Sequence, residues 1–173
     1  MVNRRMAHVK QPKCGGGFKP SLDIYVGATD TIDPWAIVLG PCFFGGLSEF
    51  CCNFQFDVKR SHGTPNFANF IKVRPKSAAN VAKQCCSTAD NYQMNFAPKE
   101  GTGTKLELKV EEKLALLTSS ILADYMWFDG DTSWCVCTDR DARLNCCFFN
   151  CMGCIIPIYI DCADIYTCVQ NMK

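Results

Sequence analysis

Two close-set cysteine pairs, Cys135-Val136-Cys137 and Cys151-Met152-Gly153-Cys154, have spacings that can serve a soft metal or thiol redox chemistry. Together they offer four thiolates to zinc. However, the first is a C-x-C rather than a two-to-four-residue knuckle, and no histidine stands nearby, so zinc is a weak fit. The C-x-x-C alone lacks the surrounding βα pattern of a thioredoxin-type site. A third chemistry suits the same region: Cys146, Cys147, Cys151 and Cys154 lie among Phe148, Phe149, Met152 and Ile155, a setting for S-acylation. Two acyl chains beside an apolar surface would hold a protein stably on a membrane. A hydrophobic segment packed on the rest of the chain, or on a partner, explains the run equally well.

A second cysteine-rich stretch, PCFFGGLSEFCCNFQFDV (Pro41 to Val58), admits three readings: a disulfide clamp, a metal site, or an aromatic-rich turn joining two strands. The chain holds 14 cysteines in 173 residues, near the level of disulfide scaffolds. Yet MVNRRMAHVK places Arg4 and Arg5 ahead of no apolar core, unlike a secretory signal, and it is neither amphipathic nor Ser-rich like a mitochondrial presequence. Adjacent cysteines (Cys51–Cys52, Cys85–Cys86, Cys146–Cys147) rarely bond each other. Most thiols are therefore read as reduced and buried, or as lipidation sites.

Catalytic constellations are hard to assemble. His8 and His62 fall in an N-terminal arm and a polar turn, where solvation accounts for them. Gly101 and Gly103 in KEGTGTK lack phosphate-loop spacing. No serine or cysteine has a base in pattern with it. The expectation is a non-enzyme with no catalytic or cofactor-binding residues. Eighteen basic against 17 acidic residues give a net charge of +1, which provides no electrostatic footprint for nucleic acid.

The elements that would position these groups fall into three parts. Residues 1–20 form a basic arm punctuated by Gly and Pro. Residues 21–128 begin with short runs between turn residues: LDIYV, WAIVLG, FQFDV, FIKVRP and YQMNF. In Phe54-Gln55-Phe56-Asp57-Val58 the apolar side chains share one face, as on a half-buried antiparallel strand. Pro75–Cys86 suits a short helix with Ser77 near its N-cap, and Leu106–Val110 (LELKV) alternates as a strand. Glu111–Phe128 then turns helical. From Leu114 onward only Asp124 is charged, and apolar residues occupy nearly every side, which predicts a core helix wrapped by strands. Its length, about 22 Å at ~1.5 Å per residue, is short for a membrane span. Residues 129–173 form a cysteine-rich apolar extension in which Gly153 and Pro157 argue against one straight helix.

From Ser21 to Phe128, 108 of 173 residues, the chain resembles the phospholipid scramblase family, which has the tubby-like fold. The matching pieces are VLGPCFFGGLSEFCCNFQFDV (Val38–Val58), TADNYQMNF (Thr88–Phe96), LELKV and LLTSSILADYMWFDG (Leu116–Gly130). The last is the most specific, with Asp124, Tyr125, Met126, Trp127, Phe128 and Asp129 in register. The resemblance implies a mainly β fold: a partial antiparallel barrel, its second half only, around a central apolar helix. Leu114, Leu117, Ile121 and Asp124–Phe128 would form that helix's core. It also implies that PCFFGGLSEFCC is a β–β connection with unpaired, unmetallated cysteines, turned at Gly45 and Gly46.

The scramblase calcium segment is degraded here. Its first acidic position is Thr88 and its last Lys99, leaving Asp90, Asn91 and Glu100, fewer carboxylates than calcium usually takes. The family's Pro-rich extension and palmitoylated cysteine cluster are also missing, so calcium is a weak expectation and Cys146–Cys154 would replace the lost anchor. With no residues upstream for the first half-barrel, another chain, a second copy or the C-terminal 45 residues folding back would complete the fold, and a partner chain or larger assembly is the expected completion. Two functions follow: scramblase-like handling of phospholipid, or a non-catalytic subunit of a large membrane complex retaining the scramblase fold. Either is membrane-associated and intracellular, with the mitochondrial inner membrane one setting.

Overall fold

The computed structural model describes residues 6–27, 33–61, 66–81, 91–96, 107–128, 135–137 and 142–161. It is mainly β, with one long helix lying against a curled antiparallel half-barrel sheet. That sheet has six strands in the order β1 (Ala7–Lys10), β2 (Ser21–Val26), β3 (Ala36–Leu39), β5 (Phe54–Arg60), β6 (Ala68–Lys72) and β7 (Tyr92–Asn95). Every neighbouring pair is antiparallel. A smaller sheet contains β4 (Phe43–Phe44), β8 (Cys135–Cys137), β9 (Ala142–Cys151) and β10 (Cys154–Asp161), with β9 pairing all three others.

The large sheet follows from alternation. Leu22, Val38, Val58 and Ala68 stand opposite one another along one row, and Phe56 opposite Phe70 in the next. Because side chains alternate with period two, these rows share the concave face. All are buried. Five of the six strands match the alternating runs of the sequence. The sixth corrects it: Ala7–Lys10, expected in a free arm, pairs with Val26–Asp23 as strand β1. The arm's glycines close a 3-10 turn at Lys13–Gly16.

Helix α1 (Val110–Trp127) packs its inner face on β1 and β2. That face is built from Ala115, Ser119 and Ala123, one turn apart, with Leu116, Ser120 and Trp127 beside them; all are buried. Small side chains let the helix lie close to the sheet. The buried hydroxyls of Ser119 and Ser120 donate to the carbonyls of Leu116 and Leu117 at 2.7 and 2.8 Å, so they cost little to bury. Glu112 reaches back to accept from the N-cap amide of Lys109 at 2.7 Å. Here LELKV departs from its expected strand: Glu107–Lys109 pair with no strand, and Val110 opens the helix. Acidic side chains at Glu111 and Glu112 favour a helix start at this point more than they favour a ladder.

At its C-terminus the helix enters an aromatic cluster. Trp127 lies parallel to Phe56 at 5.6 Å, and Phe56 stacks on Phe70 at 4.7 Å. Phe128 meets Phe44 at 5.6 Å and Phe54 at 5.7 Å. The ammonium of Lys72, itself buried, sits 3.8 Å above the Phe128 ring and 2.6 Å from the Glu49 carboxylate. An opposite charge and a ring face together make its burial tolerable.

Candidate functional site

The connection between β3 and β5 resolves the readings of PCFFGGLSEFCC. It carries β4 out of the large sheet to pair with β9, then makes one helical turn at Ser48–Cys51 before β5. Gly45 and Gly46 have φ of +71° and +62°. A Cβ on Gly46 would lie 2.5 Å from the Asn145 carbonyl oxygen, so both conformation and close approach demand glycine. Cys42, Cys51 and Cys52 are free thiols. The stretch is an aromatic connection, as the turn reading held.

The eight cysteines whose side chains are described are all free, and none is fully buried. Cys14, Cys51, Cys52 and Cys154 are exposed and the other four are half-buried, so burial does not account for these eight, and the expectation of thiols that are either buried or lipidated rests for them on its second half. Cys146 and Cys147 neighbour each other on β9, while Cys151 and Cys154 face each other across the two-residue turn Met152–Gly153. Burial pushes the Cys147 thiol up, with Cys146 adding to the effect. A hydrogen bond with Cys51 does the same for Cys52.

The four cysteines considered for zinc are not brought together. Cys135 and Cys137 pair with Leu144 and Ala142 at one end of β9, and Cys151 and Cys154 close the other. Seven to nine residues at ~3.3 Å each separate them by roughly 23–30 Å, against a zinc–sulfur bond of about 2.3 Å. Of the calcium residues, Asp90 and Glu100 lie outside the described residues. Asn91 is exposed just before β7, its carbonyl accepting from the Val73 amide at 2.8 Å. Among the described residues no group of three or more potential metal ligands gathers.

The helix positions divide. Trp127 and Phe128 are buried as expected, and Met126 is half-buried. Asp124, the helix's one mid-body charge, accepts from the Tyr92 hydroxyl at 2.9 Å and ties the helix to β7. Leu114, Leu117, Ile121 and Tyr125, expected as core positions of a completed barrel, are exposed in the single chain. Together with Val110 they form an outward stripe spaced by three and four residues, each 45–70% exposed. The six-stranded sheet covers one face only, and no described element covers the other. Among the described residues no helix is long and apolar enough to cross a membrane.

Sequence reasoning missed the surface where Phe18 and Phe43 meet Phe149, because its members come from three distant segments. The GGGF and PCFF runs signalled turns, not a shared surface. Comparison with family models, curated proteins and solved structures finds no match to this chain.

Proposed function

We propose that this chain is a non-enzymatic assembly subunit with a tubby-like half-barrel, whose helix α1 is covered by a β-structured partner chain. The observation that carries the reading is the outward stripe Val110, Leu114, Leu117, Ile121 and Tyr125. Large apolar side chains repeating along one exposed helix face mark an interaction surface. Covering a fully exposed side chain of this size is worth about 1.5–3 kcal/mol, so five half-covered ones supply several kcal/mol toward association. In the scramblase-like fold that the sequence resembles, a complete barrel encloses this helix. A partner supplying the other half would do the same here.

Gentle detergent extraction of the full chain from its source, followed by native mass spectrometry, tests the reading. Migration in an assembly well above the chain's 19.3 kDa is the expected outcome. A lone monomer overturns it, and a two-chain species replaces the partner with a second copy. A second reading, scramblase-like lipid handling, has the family resemblance as its support. Reconstitution in vesicles with a fluorescent lipid, with and without calcium, tests that activity directly.

A further inference from the structure

Away from the helix stripe, three segments build a second apolar surface. Phe149 of β9 lies 5.2 Å from Phe43 of β4 and 6.0 Å from Phe18, its ring stacked on the latter. Ile156 stands opposite it on β10, and Met152 caps the turn beside them. Phe18, Phe43 and Met152 are 59%, 53% and 60% exposed.

These side chains are held up by a tightly built corner. Cys14, Gly15, Gly16 and Gly17 all have positive φ, as do Met152 and Gly153. The two left-handed turns press together so closely that a Cβ on Gly15 would lie 2.2 Å from the Cα of Gly153. Met152 donates its amide to the Gly17 carbonyl at 2.9 Å. The side chain of buried Asn150 donates to the same carbonyl at 2.8 Å, and its backbone N–H donates to the Cys42 carbonyl at 3.1 Å. One buried residue thus joins all three segments.

The charge flanking this surface is mainly basic. Lys10, Lys13 and Lys19 lie in the first segment, which has no acidic residue from Met6 to Leu22. Neither Pro41–Ser48 nor Arg143–Ile160 contains an acid. Of the acids that border these segments, Asp23 attracts Lys10, Glu49 is engaged by Lys72, and Asp161 ends β10. A protruding aromatic and thioether surface flanked by the exposed Lys13 and Lys19 complements an anionic bilayer: apolar groups reach the acyl boundary while lysines meet headgroups.

We propose that this corner docks on anionic phospholipid membranes, with Phe18, Phe43, Phe149 and Met152 entering the interface and Lys13 and Lys19 contacting headgroups. The docking needs no acylation and is separate from the helix stripe, so either can fail alone.

Co-sedimentation of the full chain, made in bacteria and therefore unacylated, with vesicles of phosphatidylcholine alone or mixed with phosphatidylserine tests it. Binding to the mixed vesicles is expected. The triple variant F18S/F43S/M152S should weaken it at least about tenfold. K13Q/K19Q should weaken it by roughly tenfold or more at low salt, with little change on phosphatidylcholine. Both variants alter exposed side chains, so circular dichroism and thermal unfolding should match the parent. The proposal is overturned if the parent ignores both vesicles, or if the triple variant binds as well as the parent. It is also overturned if L117S/I121S abolishes binding with the corner intact, or if the triple variant only converts a dimer of this chain into a monomer.

Discussion

β5 and β10 are both apolar strands, but β5 buries one whole face in the core whereas β10 reaches it only through Ile155. In Phe54–Arg60 every second residue is polar, so Phe54, Phe56 and Val58 turn together onto the helix. In Cys154–Asp161 isoleucines and tyrosine occupy both faces; Ile156, Ile158, Tyr159 and Ile160 are all more than 40% exposed. A strand with one apolar face is satisfied by one layer. A strand apolar on both faces, at the edge of its sheet, needs cover that the described residues do not provide. The two faces of helix α1 repeat the lesson: its small-residue side is spent on β1 and β2, and its large-residue side is left for something else.

The sharpest way to break this comparison is to truncate one residue in each strand. Phe56→Ala should cost about 3–5 kcal/mol in denaturant unfolding, because it removes the ring between Trp127 and Phe70. Ile158→Ala should change stability by less than about 0.5 kcal/mol. Similar losses from both would mean that β10 is packed after all.

Asn150→Ala comes next. Losing the buried side-chain amide that ties β9 to the Gly17 carbonyl should cost about 1–3 kcal/mol and weaken vesicle binding together with stability. Intact vesicle binding in the destabilised variant would separate the corner's order from its function.

Thiol labelling distinguishes the hairpin's own positions. Exposed Cys154 should be alkylated at neutral pH well before Cys147, whose thiol burial keeps protonated into more alkaline solution. Peptide mapping reads the order, and equal rates would contradict the burial of Cys147.

The smallest effect is electrostatic. Burial raises the Asp23 carboxyl above its ordinary range, partly opposed by the attraction of Lys10. A raised folded-state value means the group favours folding when protonated, and that contribution is lost as pH rises through it. Asp23→Asn should therefore melt slightly higher than the parent near neutral pH, the gap closing as pH falls below the ordinary carboxylate range. A lower melting point at neutral pH would show that the attraction to Lys10 dominates.

The strands of the large sheet were legible because alternation writes burial directly into sequence, and PCFFGGLSEFCC because two adjacent glycines require a turn. β1 was not, since four residues with only Ala7 and Val9 on the inner face carry too short an alternation to stand out from a basic arm; His8 stacks on Tyr25 and Lys10 sits over the same ring. The helix was legible as apolar on all sides, but composition does not say whether the cover comes from the same chain. The C-terminal run was legible as an apolar extension, either acylated or packed on its surroundings, but not as the hairpin that Met152–Gly153 makes of it. The corner of Phe18, Phe43 and Phe149 exists only once β4 leaves the large sheet for β9, a pairing no local pattern encodes.

The central claim is that the outer face of helix α1 is an interface. Hydroxyl-radical footprinting of Leu117, Ile121 and Tyr125, in the isolated chain and in the assembly extracted from its source, addresses it residue by residue. Strong labelling in isolation and protection in the assembly is the predicted result. Equal labelling of all three in both states would contradict it.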